Sequence, residues 1–175
     1  NYPFDKLTFS EDLSNSFEIN SHWSLYCENY LEGLHVPFVH KGLNKDIDIA
    51  TYKTELLDNG VVQYAKSSDK SNNTYGYYYW IFPNIMLNFY NWGISVNIVE
   101  PLSINKTRIK FLIFSISDKN IKKSIDELNQ VELEDEEVVL NVQKGINSQI
   151  YNKGRYSVKH EKGVHYFHRL LSKYI

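Results

Sequence analysis

"TYKTELLDNGVVQYAKS", residues 51–67, is the stretch that decides the fold class. Two runs rich in Tyr, Thr, Val and Leu flank Asp58-Asn59-Gly60. Asn and Gly tolerate the positive φ that a type I′ turn needs, so the stretch predicts a β-hairpin. Downstream, "SSDKSNN" (67–73) is a polar loop, and "YGYYYWIFP" (75–83), "IMLNFY" (85–90), "GISVNIVEP" (93–101) and "TRIKFLIFSI" (107–116) continue the strand pattern. Residues 51–116 therefore predict an antiparallel sheet of about six strands.

Helical patterning lies on either side of this sheet, over 23–35, over 119–147 with a break, and over 160–174. Strands grouped together, with helices before and after, predict an α+β fold with helices on one face of the sheet. There is no internal repeat.

The bulk numbers narrow the function. A chain of 175 residues with 42% hydrophobic residues can bury one core, which excludes disorder and favours a single domain over 1–175. A net charge of -2 supplies no basic field, so nucleic acid is not an expected partner. One cysteine, Cys27, excludes an internal disulfide and an all-cysteine metal site and fits a reducing cytoplasm. No apolar run suggests a membrane span or a signal peptide, so a soluble protein is expected. The chain opens on Asn1 rather than Met, which suggests a segment of something longer.

The chemistry concentrates in "ENYLEGLHVPFVHKG", residues 28–42. On an uninterrupted helix His35 and His40 would point about 140° apart. Pro37 should push Val36 to extended geometry and end the helix near His35, freeing His40 to fold back. The pair then reads either as two satisfied core or surface histidines or as two ligands of one metal. Asn29, Glu32 and His35, three apart, would share a helix face. Farther on, Val131, Asp135, Val138, Val142 and Ile146 recur at helical spacing, so Asp135 falls on an apolar stripe and should point inward. It needs a cation or hydrogen-bond donors there. Glu132, Glu134, Glu136 and Glu137 fall off the stripe and read as solvated. Two imidazoles and one carboxylate with open positions would make the facial triad of non-haem Fe(II); structural burial of Asp135 is the alternative.

Three motifs in this order, "HWSLYCENYLEGLHVPFVH" (22–40), "YWIFPNIMLNFY" (79–90) with "VNIVEPL" (96–102), and "EDEEVVLNVQKGINS" (134–148), resemble the catalytic domain of Rieske non-haem iron oxygenase α subunits. The resemblance implies a helix-grip domain in which the sheet wraps a long helix and holds one mononuclear Fe(II). It makes His35, His40 and Asp135 the iron ligands, and Glu32 the carboxylate through which an electron arrives from a neighbouring subunit. Asn29 matches a position that in some members lies close to the iron. The family's [2Fe-2S] cluster needs two cysteines and two histidines, which this chain cannot supply, so the cluster is expected in a missing N-terminal domain or a partner. Implied partners are O2, a small-molecule substrate, and a reductase or ferredoxin donor, with a homotrimer as the full enzyme.

The tail "VQKGINSQIYNKGRYSVKHEKGVHYFHRLL" (142–171) is similar to quaternary-amine oxygenases of the choline monooxygenase kind. Its Tyr and Trp residues could then cage a quaternary ammonium, while most rings of "YGYYYWIF" read as strand packing. His160, His165 and His168, among basic neighbours, read as scaffold. The competing reading of the whole chain is a metal-free helix-grip module that binds a hydrophobic small molecule.

Overall fold

In a computed structural model, which describes residues 2–69, 73–116 and 121–174, the 51–67 stretch forms the expected hairpin. Strand β3 (Ile47–Leu57) turns through Asp58 and Asn59 into β4 (Gly60–Ser67). Asn59 alone supplies the positive φ, 58°. Gly60 is already in the strand, paired with Leu57, and its role is clearance: a Cβ there would stand 2.8 Å from the Trp80 carbonyl oxygen. Residues 70–72 of the expected polar loop lie outside the described residues, and Ser67 belongs to β4.

The chain continues through β5 (Thr74–Ile81), β6 (Ile85–Phe89), β7 (Gly93–Ser103) and β8 (Lys106–Ser115), each antiparallel to the one before. Two short strands complete the sheet, β1 (Thr8–Phe9) and β2 (Asn15–Ile19), which pair in succession along the free edge of β8. The sheet thus has eight strands, in the order β1-β8-β7-β6-β5-β4-β3 with β2 also on β8. About six were expected, over residues 51–116. The two extra strands are short and mostly exposed, so they carry no alternation that a sequence reading could detect.

Among the described residues five α-helices accompany the sheet: α1 (Trp23–Tyr30), α2 (Val36–Val39), α3 (Leu43–Asp46), α4 (Lys122–Ile146) and α5 (Lys162–Leu171). Among the described residues no helix is long and apolar enough to cross a membrane. α4 runs unbroken, where a break was expected. α5 buries Val164, Phe167 and Leu170 at spacings of three, so one stripe faces the sheet. Phe167 sets its ring edge-to-face on Trp80 (centroids 5.2 Å apart) and on Trp23 (5.7 Å). Leu25, Cys27 and Leu31 from the α1 segment and Val139 from α4 join Val61, Met86, Val99 and Ile109 in the same cluster. Cys27 is fully buried, and burial pushes its thiol pKa far up, so it is a small core residue.

Candidate metal centre

The histidine segment folds differently from its simplest reading. α1 ends at Tyr30, five residues before His35, with the Leu31 N–H bonded to the carbonyls of Cys27 and Glu28. Glu32 therefore does not continue a helical face shared with Asn29 and His35. Its carboxylate turns back to accept the backbone N–H groups of Leu34 and His35 (3.2 Å for His35). This turn fits under the Tyr52 ring only because residue 33 is glycine: a Cβ on Gly33 would stand 2.6 Å from that ring.

Pro37 does not end a helix. It sits in the first turn of α2, where its missing N–H is unneeded, so Val36 is helical rather than extended. His35 occupies the N-cap of this single turn and His40 its C-cap. The five-residue spacing therefore wraps once around α2 and returns the two imidazoles to each other, their Nε2 atoms 3.1 Å apart.

Asp135 arrives from α4. Its Oδ1 stands 3.1 Å from His40 Nε2 and 3.4 Å from His35 Nε2, closing a three-cornered set. These residues are the one group of histidine, cysteine and carboxylate ligands close enough to hold a metal among the described residues. Asn29 Nδ2 donates to the same Oδ1 at 2.6 Å and so fixes the carboxylate's rotation. All five candidate site residues from the sequence, Asn29, Glu32, His35, His40 and Asp135, meet here.

Two further carboxylates determine what the histidines offer. Glu32 Oε1 accepts from His35 Nδ1, and Glu134 Oε2 accepts from His40 Nδ1 at 2.8 Å. With the ring protons held at Nδ1, both Nε2 lone pairs point into the set with the Asp135 oxygen. Three electron-pair donors converging at 3.1–3.4 Å repel one another unless a cation, either a metal ion or a proton on His40 Nε2, lies between them. Ligands about 2.1 Å from a metal and at right angles stand about 3 Å apart, so the spacing suits one face of an octahedron. The carboxylate behind each imidazole is the usual outer partner of a metal-bound histidine. The residues present therefore fit a mononuclear metal. Burial lowers the pKa of His40, but the bonds to Asp135 and Glu134 outweigh it and the net direction is up.

The glutamates are where the sequence reading needs correction. Glu134 is not a solvated charge; it orients His40. Glu132 turns inward, accepting from the Tyr26 hydroxyl through one oxygen and from Asn97 Nδ2 (3.4 Å) through the other. Withdrawal from water, and then the charge of Asp135, push its pKa up to about 8. Its position three residues before Asp135 puts the two on one helix face, a signal the apolar stripe obscured. Val142 on that stripe is exposed, and the buried line runs instead through Ile125, Val139 and Gln143. Nothing in the sequence marks Glu134. Glu137 is exposed, as expected. His168 bonds Glu28 (3.0 Å) and Tyr156 (2.5 Å), which accords with a scaffold role.

A cleft of about 860 Å³ opens beside the centre, between α4, α3 and the β5–β6 side of the sheet. Tyr75, Tyr77, Tyr90 and Trp92 line it with Asp46, Glu127 and Glu134, and no described lining residue is Lys or Arg. Tyr90 and Trp92 stack with centroids 4.9 Å apart. Trp80 and Tyr79 instead serve sheet packing.

The family model described as "Ring hydroxylating alpha subunit (catalytic domain)" matches residues 4–175, and the chain belongs to that family. Among curated proteins it is similar to the chloroplastic choline monooxygenase of Arabidopsis thaliana, 35% identical over 168 residues, which covers 89% of this chain and 40% of the relative. The corresponding enzyme of Amaranthus tricolor is 32% identical over 166 residues, 88% of this chain and 38% of the relative. The chain thus spans about two fifths of the length of these relatives. Its fold matches the quaternary ammonium Rieske monooxygenase CntA in complex with L-carnitine, with TM-score 0.81 and 21% identity over 97% of this chain and 49% of that one. Dicamba monooxygenase bound to dicamba follows at TM-score 0.68 and 12% identity, over 96% and 58% of the two chains.

Proposed function

We propose that this chain is the oxygen-activating domain of a Rieske-type monooxygenase for a quaternary-amine substrate, with Fe(II) held by His35, His40 and Asp135. The observation that carries the reading is the convergence of two carboxylate-backed imidazoles and one carboxylate on a common point. Ferrous iron bound there would supply dioxygen activation and oxygen insertion into the substrate.

The chain's own residues do the rest. Glu32 and Glu134 hold the ring protons away from the metal position, and Asn29 holds Asp135 in register. In this reading Glu32, at the turn after α1, is also the entry point for an electron. The [2Fe-2S] Rieske cluster belongs to a further segment or a partner chain, served by a ferredoxin or reductase, in a homotrimer built on helix-grip domains. The acidic, ring-lined cleft suits a cation, which binds aromatic faces by roughly 2 kcal/mol when desolvated. The quaternary-amine names of the relatives favour the same class.

The alternative, a metal-free module for a hydrophobic molecule, needs a proton on His40 Nε2 in place of the metal and puts carboxylates in a cleft that should be apolar. Purification without oxygen followed by Fe(II) addition separates the two: stoichiometric iron supports the oxygenase, and no uptake overturns it.

A further inference from the structure

Glu134 belongs to two sites at once. Its Oε2 holds His40 Nδ1 at 2.8 Å, with the His40 side chain 2% exposed, while its own side chain is 29% exposed and lines the cleft. Its Oε1 accepts from Gln130 Nε2 at 3.2 Å, and Gln130 lines the cleft too. Neither the three candidate ligands nor Asn29 nor Glu32 is among the described lining residues. Of the side chains bonded to a ligand, Glu134 is the one that a molecule in the cleft would meet.

We propose that Glu134 couples the cleft to the metal centre: a cation in the cleft competes with the His40 imidazole for the Glu134 carboxylate. This rests on the reading of the cleft as a cation site. A carboxylate behind an imidazole raises the ring's basicity toward a metal, so diverting its charge weakens the His40 contribution. The coupling is reciprocal, so a bound metal weakens cation binding by the same factor. Glu134 is then a positioning residue whose setting depends on cleft occupancy, and the metal becomes a stronger Lewis acid when the cleft is filled.

The test uses Co(II) as the metal probe and choline as the cation. Co(II) affinity is read from visible absorption with and without choline, and choline binding is read by calorimetry with and without Co(II). In the wild type, choline weakens Co(II) binding about tenfold, Co(II) weakens choline binding by the same factor, and the uncharged carbon isostere of choline does neither. Glu134→Gln, whose amide oxygen still accepts from His40 Nδ1, brings the factor close to one. Glu127→Gln, which changes the cleft without touching His40, keeps it near ten. Choline binding with no effect on Co(II) overturns the coupling and leaves the proposed function standing. A factor in Glu134→Gln equal to or above that of the wild type also overturns it, because direct repulsion between the cations would then be the route. Failure of choline to bind the wild type overturns the cation-site reading and the coupling with it.

Discussion

The two ends of this molecule's interior are built on opposite principles. Where α5 lies on the sheet, Phe167, Trp80 and Trp23 pack ring against ring with no charge among them. Where α1 meets α4, Tyr26 bonds Glu132 and Asn29 bonds Asp135, with two histidines and two more glutamates alongside. The first end yields stability directly, because removing ring area from water is favourable in itself. The second gathers carboxylates out of water and gains little from doing so unless a cation joins them. The fold is stabilised at one end while the other holds an arrangement that gains from a bound cation.

Substitutions at the two ends should therefore separate stability from metal binding. The largest effect is expected at the ligands. His35→Ala and Asp135→Ala each abolish iron retention, measured as metal content after gel filtration, while leaving the thermal transition of the metal-free protein near its wild-type value. Phe167→Ala does the reverse in denaturant titration, costing about 3–5 kcal/mol of stability, with stoichiometric iron in whatever fraction remains folded.

Smaller effects sharpen the contrast. Glu32→Gln and Glu134→Gln each weaken metal affinity by about 10–100-fold, because the imidazoles lose an ionised partner but keep a hydrogen bond. Metal-competition titration measures this. In the complete enzyme Glu32→Gln also slows turnover at saturating iron, and unchanged turnover would rule out its electron-entry role.

The last effect is a pH dependence. Glu132 is raised from 4.5 to about 8 in the folded chain. Below 4.5 its carboxyl is protonated in both states and its full contribution is present. As pH rises toward 8 the unfolded chain ionises first, and that contribution is lost. Metal-free wild-type protein should therefore lose stability between pH 5 and 8 in denaturant melts, and Glu132→Gln should flatten that slope.

How much of this could be read in the sequence follows the same division. The apolar end was legible: the hairpin at 51–67, the six strands from β3 to β8 and a helix within 160–174 all follow from periodicity and turn chemistry. β1 and β2 were not, because two- and five-residue strands on an edge carry no pattern. At the polar end the candidate ligands His35, His40 and Asp135 were legible as residues, but the reason they meet was not. Pro37 was expected to stop a helix and instead starts one, since proline suits a first helical turn as well as it ends a last one. Glu132 and Glu134 were assigned to solvent because a run of acids normally faces water. Only the tertiary positions of Tyr26 and His40 show otherwise.

The most direct test of the account is anomalous diffraction at the iron edge from crystals of the Fe(II)-loaded protein. A single peak is expected about 2.0–2.3 Å from His35 Nε2, His40 Nε2 and an Asp135 oxygen. A peak elsewhere, or none at this position in protein that has been given iron, would contradict it.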